Sequence, residues 1–249
     1  LSPKKKEQKS VEFLVRKRTI PMEKILTTSQ LNSLRQIDTP TICNAIETFD
    51  VRGRVDGFMG MGIRCLTPEF GSMLGYAVTV TVDSTTPGIP RDESVWQAWV
   101  KAMHAAFKPV VLVFKDVGPQ PLKSAHFGEV MGTLSRRLGV VGLVTDGGVR
   151  DIVELKRLGL HCFAAGLVPS HGNPRLLAVN VPVEIDGVRV EPGDMLHGDA
   201  NGVTSIPWAI AAELAAAAQK VREDEARQIE YMTGPEFSIE GYFQRRSSH

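Results

Sequence analysis

Cysteine is scarce in this chain. Cys43, Cys65 and Cys162 stand far apart among 249 residues and form no C-x-x-C pair. An odd number at such spacing excludes a disulfide framework and a zinc knuckle, and apolar neighbours make buried free thiols in a reducing compartment the expectation. His104, His126, His161, His171 and His197 lack H-x-x-x-H spacing, so no zinc helix is written into the sequence. No apolar run approaches the ~18 residues of a membrane span. The N-terminus has neither the apolar core nor the small-residue cleavage site of a secretory signal, and the expected location is the cytoplasm. Net charge is nearly absent as well. A formal +1 argues against nucleic acid or a membrane surface as partner of the whole domain. Internal repeats and low-complexity tracts are missing.

What remains is an ordinary globular composition, with 43% hydrophobic and 23% charged residues. The length suffices for one large domain without staples. Positive charge gathers at the start, where residues 1–24 carry eight Lys or Arg against three Glu, a local net of +5. Such a segment reads as a solvated arm, or as an address or clasp for an acidic partner. The expected organisation is a basic arm over 1–26, one α/β domain over 27–232 and a C-terminal tail over 233–249.

Periodicity fills in that domain. Thr39-Pro40 reads as an N-cap with proline at the first helical position, and Ile42, Ala45, Ile46 and Phe49 recur on one helical face. The run Gly57-Phe58-Met59-Gly60-Met61-Gly62 has no strand before it and no helix after it, so its glycines read as turns. Residues 76–82 predict a strand, 93–107 an amphipathic helix, 109–114 a strand, 128–138 a helix and 140–145 a buried strand. A helix over 150–158 and a strand over 162–165 follow. Strands alternating with helices predict a parallel layer with crossover helices. From residue 181 the texture changes to short strands, with Asp186-Gly187 as a hairpin signal, and Pro207 opens a closing helix.

Chemistry concentrates between His126 and Asp151. The strand ending at Thr145, a tight turn at Gly147-Gly148 and a helix from about Arg150 predict a crevice at the carboxyl end of a parallel strand. Arg150 offers a planar fork suited to a carboxylate or enolate, and Asp151 offers hard oxygens suited to Mg²⁺ or Mn²⁺. A plainer alternative is a helix-start aspartate meeting the macrodipole beside a surface arginine. Upstream, Gly128, Glu129, Val130 and Met131 open a helix, so their free N–H groups form an anion cradle. Glu129 adds a carboxylate able to hold water.

An acidic residue, twenty intervening residues and then Arg150-Asp151 resembles the signature of the RraA-like family, which includes 4-hydroxy-4-methyl-2-oxoglutarate aldolases and protein regulators of an endoribonuclease. The Asp146-Gly147-Gly148-Val149-Arg150-Asp151 context, the stretches 190–194 and 199–203, and Thr39-Pro40-Thr41-Ile42-Cys43-Asn44-Ala45 are similar to it too. The resemblance covers roughly 31–218. It implies a swivelling β/β/α domain, three-layered around a central mixed sheet, and a homotrimer or homohexamer. It also implies that Arg150 binds an α-keto acid, Asp151 ligates Mg²⁺ or Mn²⁺, residues 128–131 receive the substrate carboxylate, and Glu129 acts through water. The implied activity is a class II retro-aldol lyase acting through a pyruvate enolate, with oxaloacetate decarboxylation beside it. Many relatives carry Asp-x-Gly-Gly where this chain runs from Lys115 to Pro121, so the far end of the substrate is expected to differ.

Three other readings compete. Lys115 follows a strand and could form a Schiff base, but needs a desolvated pocket to lower its pKa. A methyltransferase lacks its glycine-rich cofactor loop with a following acidic residue. A non-catalytic regulator has no need of Glu129, Arg150 and Asp151 together. His126 reads as a polar pocket wall, and Asp194, His197 and Asp199 as turn chemistry.

Overall fold

The computed structural model describes residues 25–247, so nearly all of the basic arm lies outside the described residues. Two short helices come first, α1 (Thr28–Arg35) and α2 (Thr39–Glu47). The cap of α2 is Asp38, which accepts from the Thr41 amide at 2.9 Å, rather than Thr39. Thr39 is spent elsewhere: its amide donates to Asp199 Oδ2 at 2.7 Å and its hydroxyl meets His197 Nδ1 at 3.0 Å.

The middle of the chain runs β1 (Arg64–Cys65), β2 (Met73–Asp83), α3 (Glu93–Ala105), β3 (Val110–Asp116), β4 (Ala125–Phe127), α4 (Glu129–Arg137), β5 (Val140–Val149), α5 (Ile152–Arg157), β6 (His161–Leu167) and β7 (Arg175–Val179). It closes with β8 (Val183–Ile185), β9 (Val188–Val190), β10 (Met195–Asp199), β11 (Gly202–Ile206), α6 (Leu214–Thr233) and α7 (Ile239–Ser247), the last within the expected tail. Nine strands form one mixed, nearly closed sheet in the order β1-β6-β5-β3-β2-β10-β11, with β4 on β5 and β7 on β2. Strands β2, β3, β5 and β6 are parallel, while β1, β7, β10 and β11 join antiparallel.

Near-continuous burial along β2 and β3 fits strands covered on both faces. One face packs Val80, Leu112, Phe114 and Leu143 against Trp99 and Met103 of α3 and Leu155 of α5. The other packs Met73, Val111, Val144 and Phe163 against the β8–β9 hairpin through Val183, Ile185, Val188 and Val190. That is the expected three-layer arrangement. The hairpin turns at Asp186 (φ 44°) and Gly187 (φ 84°), both in the left-handed region its signal requires. A third cluster seats α1, α2 and α6 on Leu74, Tyr76 and Met195. Among the described residues, no helix is long and apolar enough to cross a membrane.

Two expectations need correction. Only Cys162 is fully buried, with burial pushing its thiol up to about 12, whereas Cys43 and Cys65 are half-buried; all three are free. More consequentially, Gly147 and Gly148 make no turn. Strand β5 continues through them to Val149, shifting its register against β6 between Thr145 and Gly148, and α5 starts only at Ile152. The glycines are there for close approach. A Cβ on Gly148 would stand 2.5 Å from Val168 Cγ2 and 3.1 Å from the Ser124 carbonyl, and one on Gly147 would stand 3.2 Å from that same carbonyl. Strand β4 can therefore lie directly against the far end of β5.

Candidate active site

Strand register, not a turn, assembles the site. Ala125 and Phe127 of β4 pair with Gly148 and Val149 of β5, bracketed by bonds from the Gly148 amide to the Ser124 carbonyl (2.7 Å) and the Arg150 amide to the Phe127 carbonyl (3.0 Å). Gly128 follows one strand and Arg150 the other, so the ladder sets them side by side. A Cβ on Gly128 would fall 2.5 Å from Asp151 Oδ2 and 3.0 Å from Arg150 Cγ. Any side chain there would displace the Asp151 carboxylate.

Asp151 then behaves unusually. It sits at the N-cap of α5 with φ 55° and ψ 41°, a left-handed conformation that outside glycine favours Asn and Asp, yet its side chain does not cap its own helix. It crosses over and accepts from the Glu129 amide, the first N–H of α4, at 3.0 Å. Arg150 Nε stands 3.5 Å from the same Oδ2. The plain alternative, an aspartate serving the helix it precedes, is thus replaced by one serving the neighbouring helix. Helix α4 has no side-chain cap from its own N-cap residue, Gly128, and its first turn leaves N–H groups with no partner inside the helix.

These groups surround a cavity of about 340 Å³, within the range of small-ligand sites. All six residues singled out from the sequence line it: Gly128, Glu129, Val130, Met131, Arg150 and Asp151. The Arg150 and Asp151 side chains keep 36% and 33% of their exposure, so both reach the opening. Sequence reasoning missed the opposite wall. Arg91, Asp92, Glu93 and Trp96 arrive from the start of α3, and His171, Pro174 and Leu176 from the β6–β7 connection and β7. The Asp92–Glu93 helix start was visible, but nothing local ties 171–176 to the site.

That second wall hangs on Asp83, at the end of β2. Its carboxylate accepts from the Thr85 and Thr86 amides at 2.9 and 3.1 Å and pairs with Arg175 of β7 at 2.5 Å, both side chains being about nine-tenths buried. Burial alone would raise this carboxyl. The Thr86 hydroxyl, the two amides and the guanidinium outweigh it and hold it at about 2. The Asn173 amide adds a 2.7 Å bond to the Ser84 carbonyl.

His126, expected as a pocket wall, lines the cavity but is almost wholly buried and bonded through Nε2 to Asp116 Oδ2 at 2.7 Å. Lys115 is not among the lining residues. It is held by Asp146 at 2.6 Å, which leaves no desolvated free amine for a Schiff base. His197 and Asp199 do more than make a turn. His197 is fully buried between Thr39 and the Leu34 carbonyl, and burial pushes its imidazole down to about 4, so it ties the N-terminal helices to the sheet as a neutral ring.

The fit of a divalent cation rests on the donor set. Both the hydrogen bond and the ion pair of Asp151 use Oδ2, and Oδ1 takes part in neither. Among the described residues no group of three His, Cys, Asp or Glu is placed to hold a metal ion. One hard carboxylate beside an open cavity suits Mg²⁺ or Mn²⁺, which keep waters and take substrate oxygens, better than an all-protein zinc cage.

Known proteins of similar sequence and fold place the chain in a family. A family model described as RraA-like, Aldolase/RraA, matches residues 39–204. An uncharacterized protein of Methanocaldococcus jannaschii is 29% identical over 206 residues, covering 82% of this chain and 89% of that protein. A protein of Halalkalibacterium halodurans, provisionally named a 4-hydroxy-4-methyl-2-oxoglutarate aldolase, is 35% identical over 133 residues, or 53% of this chain and 62% of that one. Among solved structures, Streptomyces coelicolor RraAS2, an unusual member of the RNase ES inhibitor RraA protein family, superposes with a TM-score of 0.63 at 22% identity. That alignment covers 81% of this chain and 96% of the other.

Proposed function

The chain belongs to the RraA-like family, and from that premise we propose that it is a divalent-metal-dependent carbon–carbon lyase cleaving 4-hydroxy-2-oxo acids to pyruvate, with oxaloacetate decarboxylation as a side activity. The observation that carries the reading is the convergence of residues 128–131, Arg150 and Asp151 on one cavity. In this reading the α4 amides and the Arg150 guanidinium bind the carboxylate and keto oxygens of the substrate. Both cleavage and decarboxylation leave a pyruvate enolate, and fixed donors aimed at the developing charge favour it over the ground state. Asp151 would hold Mg²⁺ or Mn²⁺, which supplies Lewis-acid stabilisation of that charge. Glu129, exposed at the cavity mouth, orients water. The resemblance to a Halalkalibacterium protein named for an aldolase supports the reaction class. The likeness to the RNase ES inhibitor family carries the fold alone. The reading extends to a homotrimer or homohexamer.

The test is a panel of 4-hydroxy-2-oxo acids and oxaloacetate with Mg²⁺ or Mn²⁺ and coupled pyruvate detection. Metal-dependent pyruvate release is expected, and Asp151→Ala should lower it at least ~100-fold, in the range lost with a transition-state charge stabiliser. No turnover across the panel, or full turnover in Asp151→Ala, would remove the lyase reading.

A further inference from the structure

Two helix starts meet this cavity, and they are finished differently. Helix α4 begins with Gly128, which offers no side-chain cap. Helix α3 begins with Asp92, whose Oδ1 accepts from the Ser94 amide at 2.9 Å and from the Ser94 hydroxyl at 2.6 Å. Those donors hold the Asp92 carboxyl below its ordinary range. Glu93 adds a second carboxylate in the same turn, so the positive end of α3 is already answered by its own chain. Arg91 stands one residue earlier, a single guanidinium beside two carboxylates. Arg175 of β7, its neighbour on the outer side of this wall, is committed to Asp83 and buried with it.

Between the two helix starts the wall is largely hydrocarbon. Trp96 of α3, Met131 of α4 and Leu176 of β7 are each partly buried on the main core and also line the cavity. The Trp96 ring leans on Trp99, with centroids 4.9 Å apart and 56° between the planes, and Trp99 is fully buried, so Trp96 is backed by the core. Pro174 and Val130 extend the apolar lining, and Val130 keeps 83% of its exposure. At about 30 Å³ for each water-sized group, the 340 Å³ holds roughly eleven of them, and a pyruvyl unit fills about six. With that unit at α4 and Arg150, the remaining room belongs to whatever the substrate carries on C4.

We propose that the substrate is a monocarboxylic 4-hydroxy-2-oxo acid with an apolar C4 substituent, a phenyl or branched alkyl group, selected by Trp96 and its apolar neighbours; this rests on the lyase reading. Such a substituent takes the carbon surface of Trp96, Val130 and Leu176 out of water, and one methylene in an apolar pocket already discriminates by about 10–200-fold. A second carboxylate in the same place would lose hydration against carbon and meet Asp92 and Glu93 as like charges. The product released beside pyruvate is then an apolar aldehyde.

Two ligands that lack the C4 hydroxyl share the 2-oxo acid end and differ only at C4, where 2-oxo-4-phenylbutanoate carries phenyl and 2-oxoglutarate a carboxylate. Titration calorimetry in Mg²⁺ should find the phenyl compound tighter by at least about 10-fold. The cleavable pair, 4-hydroxy-2-oxo-4-phenylbutanoate and 4-hydroxy-2-oxoglutarate, should follow the same order in KM. Trp96→Ala should bring the two affinities to within about 3-fold of each other. Glu93→Lys alters an exposed side chain and decides the matter if Trp96→Ala does not fold. It should tighten 2-oxoglutarate by roughly 5-fold at low salt, and less at high salt. Equal or tighter wild-type binding of 2-oxoglutarate overturns the proposal, and pyruvate released from 4-hydroxy-2-oxoglutarate would then leave the lyase reading standing. Loss of that binding in Arg91→Ala would give the wall to a second anion instead. An undiminished phenyl preference in folded Trp96→Ala and Glu93→Lys proteins overturns the assignment to this wall. Wild-type protein that binds neither ligand and releases no pyruvate overturns both readings.

Discussion

Replacing Gly128 with alanine puts one methyl group at the join of the site and almost nowhere else. The backbone there is extended, at φ −150° and ψ −166°, so alanine meets no conformational barrier. Its Cβ would stand 2.5 Å from Asp151 Oδ2 and 3.1 Å from Arg150 Nε, where ordinary contact begins at 3.4 Å. The carboxylate must retreat by roughly 1 Å, and displacements of that size cost catalysis on the order of 10²-fold. Stability responds far less. Losing the half-exposed bond between Asp151 and the Glu129 amide costs about 1 kcal/mol, and the stiffer unfolded chain returns about 0.4–1 kcal/mol. The melting temperature should then move by no more than about 3 °C. Coupled pyruvate release and thermal unfolding on the same preparation separate the two effects. A Gly128→Ala protein with activity within about 3-fold of wild type would refute the packing argument. A melting temperature lowered by about 10 °C would show that Gly128 holds the fold rather than the site.

Two further outcomes concern stability. Arg175→Ala leaves the Asp83 carboxylate buried without its guanidinium and should cost about 3–5 kcal/mol by urea denaturation at neutral pH; a loss under about 1 kcal/mol would mean that Asp83 is held by the Thr85 and Thr86 amides alone. His161 and His197 are both pushed down to about 4 by burial, from 6.5. In that window the unfolded chain binds protons that the folded chain refuses, so unfolding free energy should fall as pH drops from about 6.5 to about 4, and the contribution of these two rings should level off below that. A flat profile across this window would contradict their neutral burial.

Much of this was legible beforehand because it depends on local chemistry. Apolar runs bounded by turn residues marked β2, β3 and β5, and Asp186-Gly187 marked the β8–β9 hairpin, since left-handed φ values leave few residue choices. The cradle and the Arg150-Asp151 pair were visible as types. How they meet was not. Gly147 and Gly148 look like a turn in one dimension, and the approach of Ser124, just before β4, and of Val168 explains why an extended strand needs two residues without side chains. The three-residue β4 has too short a pattern to announce itself. Asp116 and His126 are ten residues apart on different strands, so their pairing is a product of register. The wall at 171–176 is held by Asp83, ninety residues away in sequence, and no local spacing encodes such a bond.

The crossing of Asp151 to the wrong helix has a thermodynamic consequence. The positive end of α4 is already partly neutralised by that carboxylate, so in the proposed function an arriving substrate anion would compete with a resident one. A cation drawing on Asp151 would weaken that hold and free the Glu129 amide. Occupancy by cation and by anion would then favour each other, and linkage requires the same coupling factor in both directions. The one side chain would make an empty site self-satisfied and a half-filled one incomplete.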